Sequence, residues 1–96
     1  MSGPVLADDP AVIQVKLVNH RFEPAEIHVP AGKPVNLVIS NQDSAPEEFD
    51  SADLKVEKVI AGGQQATIHL RALDAGKYAF EGEYHDETAK GFVIAE

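Results

Sequence analysis

Gly76-Lys77-Tyr78-Ala79-Phe80-Glu81-Gly82-Glu83-Tyr84-His85-Asp86-Glu87-Thr88-Ala89-Lys90-Gly91 begins as a strand and ends as one. Tyr78 and Phe80 alternate with Ala79 and Glu81, the period of a half-buried strand, and Phe92 to Ala95 is again short and apolar. The polar segment between them holds one imidazole, His85, and the carboxylates Glu81, Glu83, Asp86 and Glu87, with only Lys90 to offset them. A second acidic segment, Asp43 to Asp50, contains Pro46-Glu47-Glu48-Phe49-Asp50. If folding brings the two segments together, they form a site for a cation.

Working outward, Leu73-Asp74-Ala75-Gly76-Lys77-Tyr78 has the spacing of a tyrosine corner, in which a Tyr at a strand start bonds back to the upstream backbone. Four earlier segments alternate in the same way: Val12 to Val18, Glu26 to Val29, Val35 to Asn41 and Gln65 to Leu70. Their inward residues are Ile13, Val15 and Leu17, then Ile27 and Val29, then Val35, Leu37 and Ile39, then Ala66, Ile68 and Leu70; His28 and His69 face outward. Phe22 and Pro24 fall in a bend, Pro30 to Pro34 in a turn, and Phe49 to Leu54 in a short strand, while Ala52 to Ile60 reads equally as helix or strand. Seven to eight short strands with frequent turn signals predict an all-β Greek-key sandwich of two sheets.

Ninety-six residues suffice for one domain, assigned to residues 10–96, with residues 1–9 read as a disordered terminus. Val5 and Ala7 have the small-residue pattern that closes an export signal, and the same stretch reads equally as a plain terminus. No apolar run approaches the roughly 20 residues of a membrane-spanning helix, so no membrane insertion is expected. A net charge of -8 repels nucleic acid and anionic lipid and suits a cation or a basic protein surface. The absence of cysteine excludes disulfides, thiolate metal ligands and thiol nucleophiles, and the one methionine is Met1. Charged strand residues such as Lys16, Lys55 and Lys58 suit a monomer.

Asn41-Gln42-Asp43-Ser44-Ala45-Pro46-Glu47 resembles the cupredoxin loop in which a strand-closing Asn is followed by Asp, Pro and a histidine copper ligand; Glu47 stands in the histidine position. Gly76-Lys77-Tyr78-Ala79-Phe80-Glu81-Gly82-Glu83-Tyr84-His85 resembles the cupredoxin pattern Gly-x-Tyr-x-Phe-x-Cys-x-x-His. Gly82 takes the cysteine position, His85 matches the histidine, and Lys90 falls near the methionine. Phe22-x-Pro24-x-x-Ile27-x-Val29-x-x-Gly32 is similar to the family's second-strand signature. Glu48-Phe49-Asp50-Ser51 resembles the Glu-Phe-Glu-Ser motif of EfeO-type cupredoxin-like domains. That resemblance implies export to the bacterial periplasm, metal handling, and a partner in iron uptake, either a periplasmic iron-binding protein or an iron permease.

Carboxylates with one imidazole and no sulfur suit Cu(II), Fe or Mn, admit Zn, and disfavour Cu(I). The expected ligands are Glu47, Glu48, Glu83 and His85, with Asp50 in reserve and His20 as a turn residue that can join. Continued alternation would place Glu81, Glu83 and His85 on one side of their strand and would oppose Glu47 to Glu48 and Asp50. The plainer reading is that the acidic loops are solvated surface. Three functions follow. The first is a periplasmic domain binding copper or iron, with metal redox as its only expected activity; the second is a metal-free adaptor docking through its acidic loop end. A carboxylate-pair hydrolase is disfavoured by the small size and the lack of any triad or phosphate loop.

Overall fold

Alternation of aliphatic with polar residues draws the chain into strands wherever one face can be buried. The computed structural model describes residues 10–96, so the export-signal reading of Met1 to Ala7 lies outside the described residues. Among the described residues there are nine strands: β1 (Ala11–Val18), β2 (Arg21–Glu23), β3 (Glu26–Val29), β4 (Val35–Asn41), β5 (Glu47–Ser51), β6 (Val56–Ile60), β7 (Gln65–Leu70), β8 (Gly76–Gly82) and β9 (Lys90–Ala95). They form two sheets, ordered β2-β1-β4-β7 and β3-β9-β8-β5-β6. β1 runs parallel to β4 and β3 parallel to β9, with the remaining pairs antiparallel. This is the all-β sandwich that the alternation predicts.

Val15, Leu17, Val35, Leu37, Ile39, Ile68 and Leu70 point inward from the first sheet, and Ile27, Phe49, Ile60, Phe80 and Val93 from the second. Burying each such side chain contributes roughly 1.5–3 kcal/mol before conformational entropy is counted. Phe22, from β2, crosses the gap between the sheets. Its ring meets Phe80 edge-on at 5.1 Å and Phe49 at 5.8 Å, while Phe49 stacks on Phe80 at 4.9 Å. Tyr78 makes the expected corner by donating its hydroxyl to the Asp74 carbonyl at 2.8 Å.

Three local expectations change. Arg21–Glu23, expected in a bend, is a strand because it pairs with Lys16–Val18 and buries Phe22. The ambiguous Ala52 to Ile60 becomes a turn followed by β6, which pairs along the whole of β5. The strand expected over Phe49 to Leu54 starts earlier, at Glu47, and stops at Ser51. There the Ser51 hydroxyl donates to Ala79 O at 2.6 Å and accepts from Leu54 N at 2.9 Å, closing a turn.

Candidate metal centre

The site begins with Asn41 at the buried end of β4. Its Nδ2 donates to Ala45 O at 2.9 Å and Ile60 O at 3.1 Å, and its Oδ1 accepts from Asp43 N at 3.0 Å. One side chain thus fixes the whole segment that leads into β5. Alternation along β5 then turns Glu47, Phe49 and Ser51 inward and Glu48 and Asp50 outward.

Glu47 is 1% exposed, a burial that a carboxylate tolerates only when its oxygens are partnered. Its Oε1 accepts from Tyr84 N at 2.8 Å and from Glu48 N at 3.1 Å, and its Oε2 accepts from His85 Nδ1 at 2.6 Å. Room for it exists because residue 82 is glycine. A β-carbon on Gly82 would lie 2.7 Å from the Glu47 carboxyl carbon and 2.8 Å from Ala89 Cβ.

His20 comes from the two-residue turn between β1 and β2. Asn19 and His20 both have positive φ, 54° and 58°, as a type I′ hairpin turn requires. The Asp43 carboxylate holds them by accepting from Asn19 N at 2.8 Å and His20 N at 2.9 Å, while Thr88 Oγ1 donates to His20 O at 2.6 Å. These bonds, the His20 N–H first, hold the Asp43 carboxyl below its ordinary value, with the neighbouring imidazoles adding to the effect against the opposing loss of hydration. The His20 ring lies on that of His85 with centroids 3.7 Å apart and planes 12° from parallel.

His20, Glu47 and His85 offer donor atoms within 4.8 Å of one another. Among the described residues a second such group is Glu48, Asp50 and Glu83. The single cluster expected from Glu47, Glu48, Asp50, Glu83 and His85 is therefore divided. Glu47 and His85 meet inside the end of the sandwich, whereas Glu48, Asp50 and Glu83 gather apart from them. The expected alternation through Glu81, Glu83 and His85 fails because Glu83–His85 is a 3₁₀ turn with no two-residue period.

In the second group Glu83 is pushed up to about 7, first by sharing a proton with Asp50 and then by the charges of Asp50 and Glu48. Glu48 is also raised, first by loss of hydration and then by Asp50. Asp50 Oδ1 is buried without a hydrogen-bond partner. His28 and His69 lie on exposed strand faces as expected, against Glu96 at 2.9 Å and Asn36 at 2.7 Å respectively, and Lys90 opens β9 opposite Glu81. His20 was the residue hardest to place from sequence. Its one signal is an Asn-His pair at a tight turn, where Asn-Gly is the usual choice.

The chain belongs to the cupredoxin-like domain family, whose model matches residues 1–95. It is 37% identical over 95 residues to an uncharacterized protein of Rickettsia prowazekii, covering 97% of this chain and 75% of that one. Its fold is similar to that of auracyanin A, a "blue" copper protein of Chloroflexus aurantiacus, with a TM-score of 0.77 at 15% identity over 92% of this chain and all of that one. The metal-binding domain of the Streptococcus pneumoniae Cu(I)-exporting ATPase CopA, solved with Cu(I), superposes with a TM-score of 0.73 at 15% identity, covering 88% of this chain and 84% of that one.

A thiolate copper centre does not fit these residues. The chain has no cysteine, and Glu47 fills the space beside Gly82. A borderline cation does fit, since a carboxylate and an imidazole nitrogen are donors such an ion accepts together.

Proposed function

We propose that this domain binds a divalent transition-metal cation, copper(II) foremost, through Glu47 and His85. The observation that carries the reading is the 2.6 Å contact between His85 Nδ1 and a carboxylate that is 1% exposed. A cation replacing the shared proton would be held by one nitrogen and one anionic oxygen, both already fixed by β5 and by the 3₁₀ turn. Copper is favoured over the lighter divalent ions by nitrogen ligation. A bound redox metal would supply one-electron chemistry; the protein's part is to orient the imidazole and exclude water on the Glu47 side.

The finer proposal is that the domain works in the bacterial periplasm in iron uptake, oxidising Fe(II) or handing iron to a periplasmic iron-binding protein or an iron permease. It is supported by the Glu48-Phe49-Asp50-Ser51 motif, and by the preference of oxygen donors for the higher oxidation state of iron. Calorimetric titration of metal-free protein with Cu(II), and anaerobically with Fe(II), tests both levels. One-to-one Cu(II) binding supports the site, and, in a separate aerobic assay, oxygen consumption on adding Fe(II) that is faster than in buffer alone supports the finer role. No heat with either ion leaves the alternative of a metal-free docking module.

A further inference from the structure

The site described so far has a buried half and an exposed half. Glu47 is 1% exposed and His85 Nδ1 is tied to it at 2.6 Å, so that pair is set by the sheet and the 3₁₀ turn. The His20 side chain is 42% exposed, and its Nδ1 stands 3.4 Å from Asp43 Oδ2, beyond ordinary hydrogen-bond length. What Asp43 grips is the backbone of residues 19 and 20, and among the described residues the His20 ring nitrogens make no hydrogen bond of their own.

The backbone itself points to a role. Type I′ turns favour glycine at their second central position because a β-carbon there is strained, and in this chain the residue is histidine at φ 58°. Non-glycine residues kept in such a conformation are concentrated at functional sites. This one places an imidazole against His85 and within 4.8 Å of the Glu47–His85 donors.

We infer that His20 is a ligand of the same cation site, and that the ion is captured by parting the His20–His85 stack. An imidazole binds a metal through a nitrogen lone pair that lies in the plane of the ring, with the ion about 2.0–2.1 Å from the nitrogen. Two rings 12° from parallel and 3.7 Å apart have planes that do not meet within such a distance. One ion therefore cannot take both nitrogens in the resting arrangement. Because His85 is held by Glu47, it is the exposed His20 ring that rotates, carrying a second nitrogen to an ion already resting on the fixed pair. The resulting set is two imidazoles and a carboxylate, the donor class of Cu(II) and Zn(II) rather than of Mg(II) or Ca(II).

The inference rests on the proposed metal function, and zinc separates the two. Zn(II) is added to ¹⁵N-labelled protein while the histidine ring nitrogens are followed by NMR, and affinities are measured for the wild type, His20→Phe and His20→Asn. Phenylalanine keeps a ring to stack but has no donor; asparagine keeps a side chain suited to positive φ, so a folded turn is retained in at least one variant. The expected result is that ring nitrogens of both His20 and His85 shift, and that both variants bind zinc weaker by roughly tenfold or more. If His85 alone shifts and the variants bind as the wild type does, His20 is no ligand and the Glu47–His85 site stands. If neither histidine responds and the wild type binds neither Zn(II) nor Cu(II), the metal reading itself is overturned along with this extension.

Discussion

The carboxyl carbon of Glu47 lies 2.7 Å from where a β-carbon on Gly82 would be. The two positions are complementary: a longer, inward acid on β5 is accommodated by a missing side chain at the end of β8. In the cupredoxin pattern these are the histidine and cysteine positions, so one pairing of residue types replaces another. The replacement removes sulfur and brings in a buried anionic oxygen, which moves the site from soft towards harder cations.

Gly82→Cys alone therefore overpacks the site. Its expected cost is about 1–3 kcal/mol, read as a lowered chemical-denaturation midpoint. The paired change Glu47→His with Gly82→Cys, combined with Ala89→Gly to clear the Ala89 Cβ that lies 2.8 Å from the new β-carbon, should give an intense visible thiolate-to-copper band on adding Cu(II). An intense band from Gly82→Cys with Glu47 intact would show that the carboxylate does not fill this space.

Removing the acid leaves its donors stranded. In Glu47→Ala the Tyr84 N–H, the Glu48 N–H and the His85 Nδ1–H all lose their acceptor. A destabilisation of roughly 1–3 kcal/mol is expected when these part-buried donors lose their acceptor. Thermal unfolding checks it, and an unchanged midpoint would mean that water replaces the carboxylate freely.

Asp43 anchors the turn that carries His20. Unfolded, its carboxyl titrates near 3.8, and folded it titrates lower. The stability it contributes is thus present above that ordinary value and is lost as pH falls through the folded one. Asp43→Ala should lower stability at pH 7 by about 1–3 kcal/mol and flatten the acid limb of the stability curve. Equal acid sensitivity in wild type and variant would assign that limb to other groups.

Glu83 has the opposite sign. Its carboxyl titrates near 4.5 when unfolded and at about 7 when folded beside Asp50 and Glu48. Between those values the folded state holds a proton that the unfolded state does not, so stability falls as pH rises through the window. Urea midpoints at pH 5 and pH 8 measure this. Glu83→Gln should reduce the difference, and a stability that rises across the window in the wild type but not in the variant would contradict the crowding of these acids.

Alternation made the sheets legible, because period-two burial at Val35, Leu37 and Ile39 or at Ile27 and Val29 depends on little beyond the local sequence. Tyr78 was legible through its spacing from Asp74. The boundaries of β5 were not, since Ser51 ends that strand through bonds to Ala79 and Leu54, one of them to another strand. The division of the acidic residues was half legible. Opposite faces for Glu47 and Glu48 follow from β5 alone, but the 3₁₀ turn that parts Glu83 from His85 breaks the strand period without a glycine or proline inside it. His20 reaches the site through Asp43, a contact 23 residues away in sequence.

On the function proposed above, Glu47 and His85 together hold a metal ion. Electron paramagnetic resonance of the protein with one equivalent of Cu(II), compared with His85→Ala, tests it most directly. A single bound-copper spectrum with nitrogen hyperfine structure and no intense thiolate band is expected, with that spectrum lost in the variant. An identical copper spectrum in both proteins, or only the signal of free aqueous Cu(II) in the wild type, would contradict it.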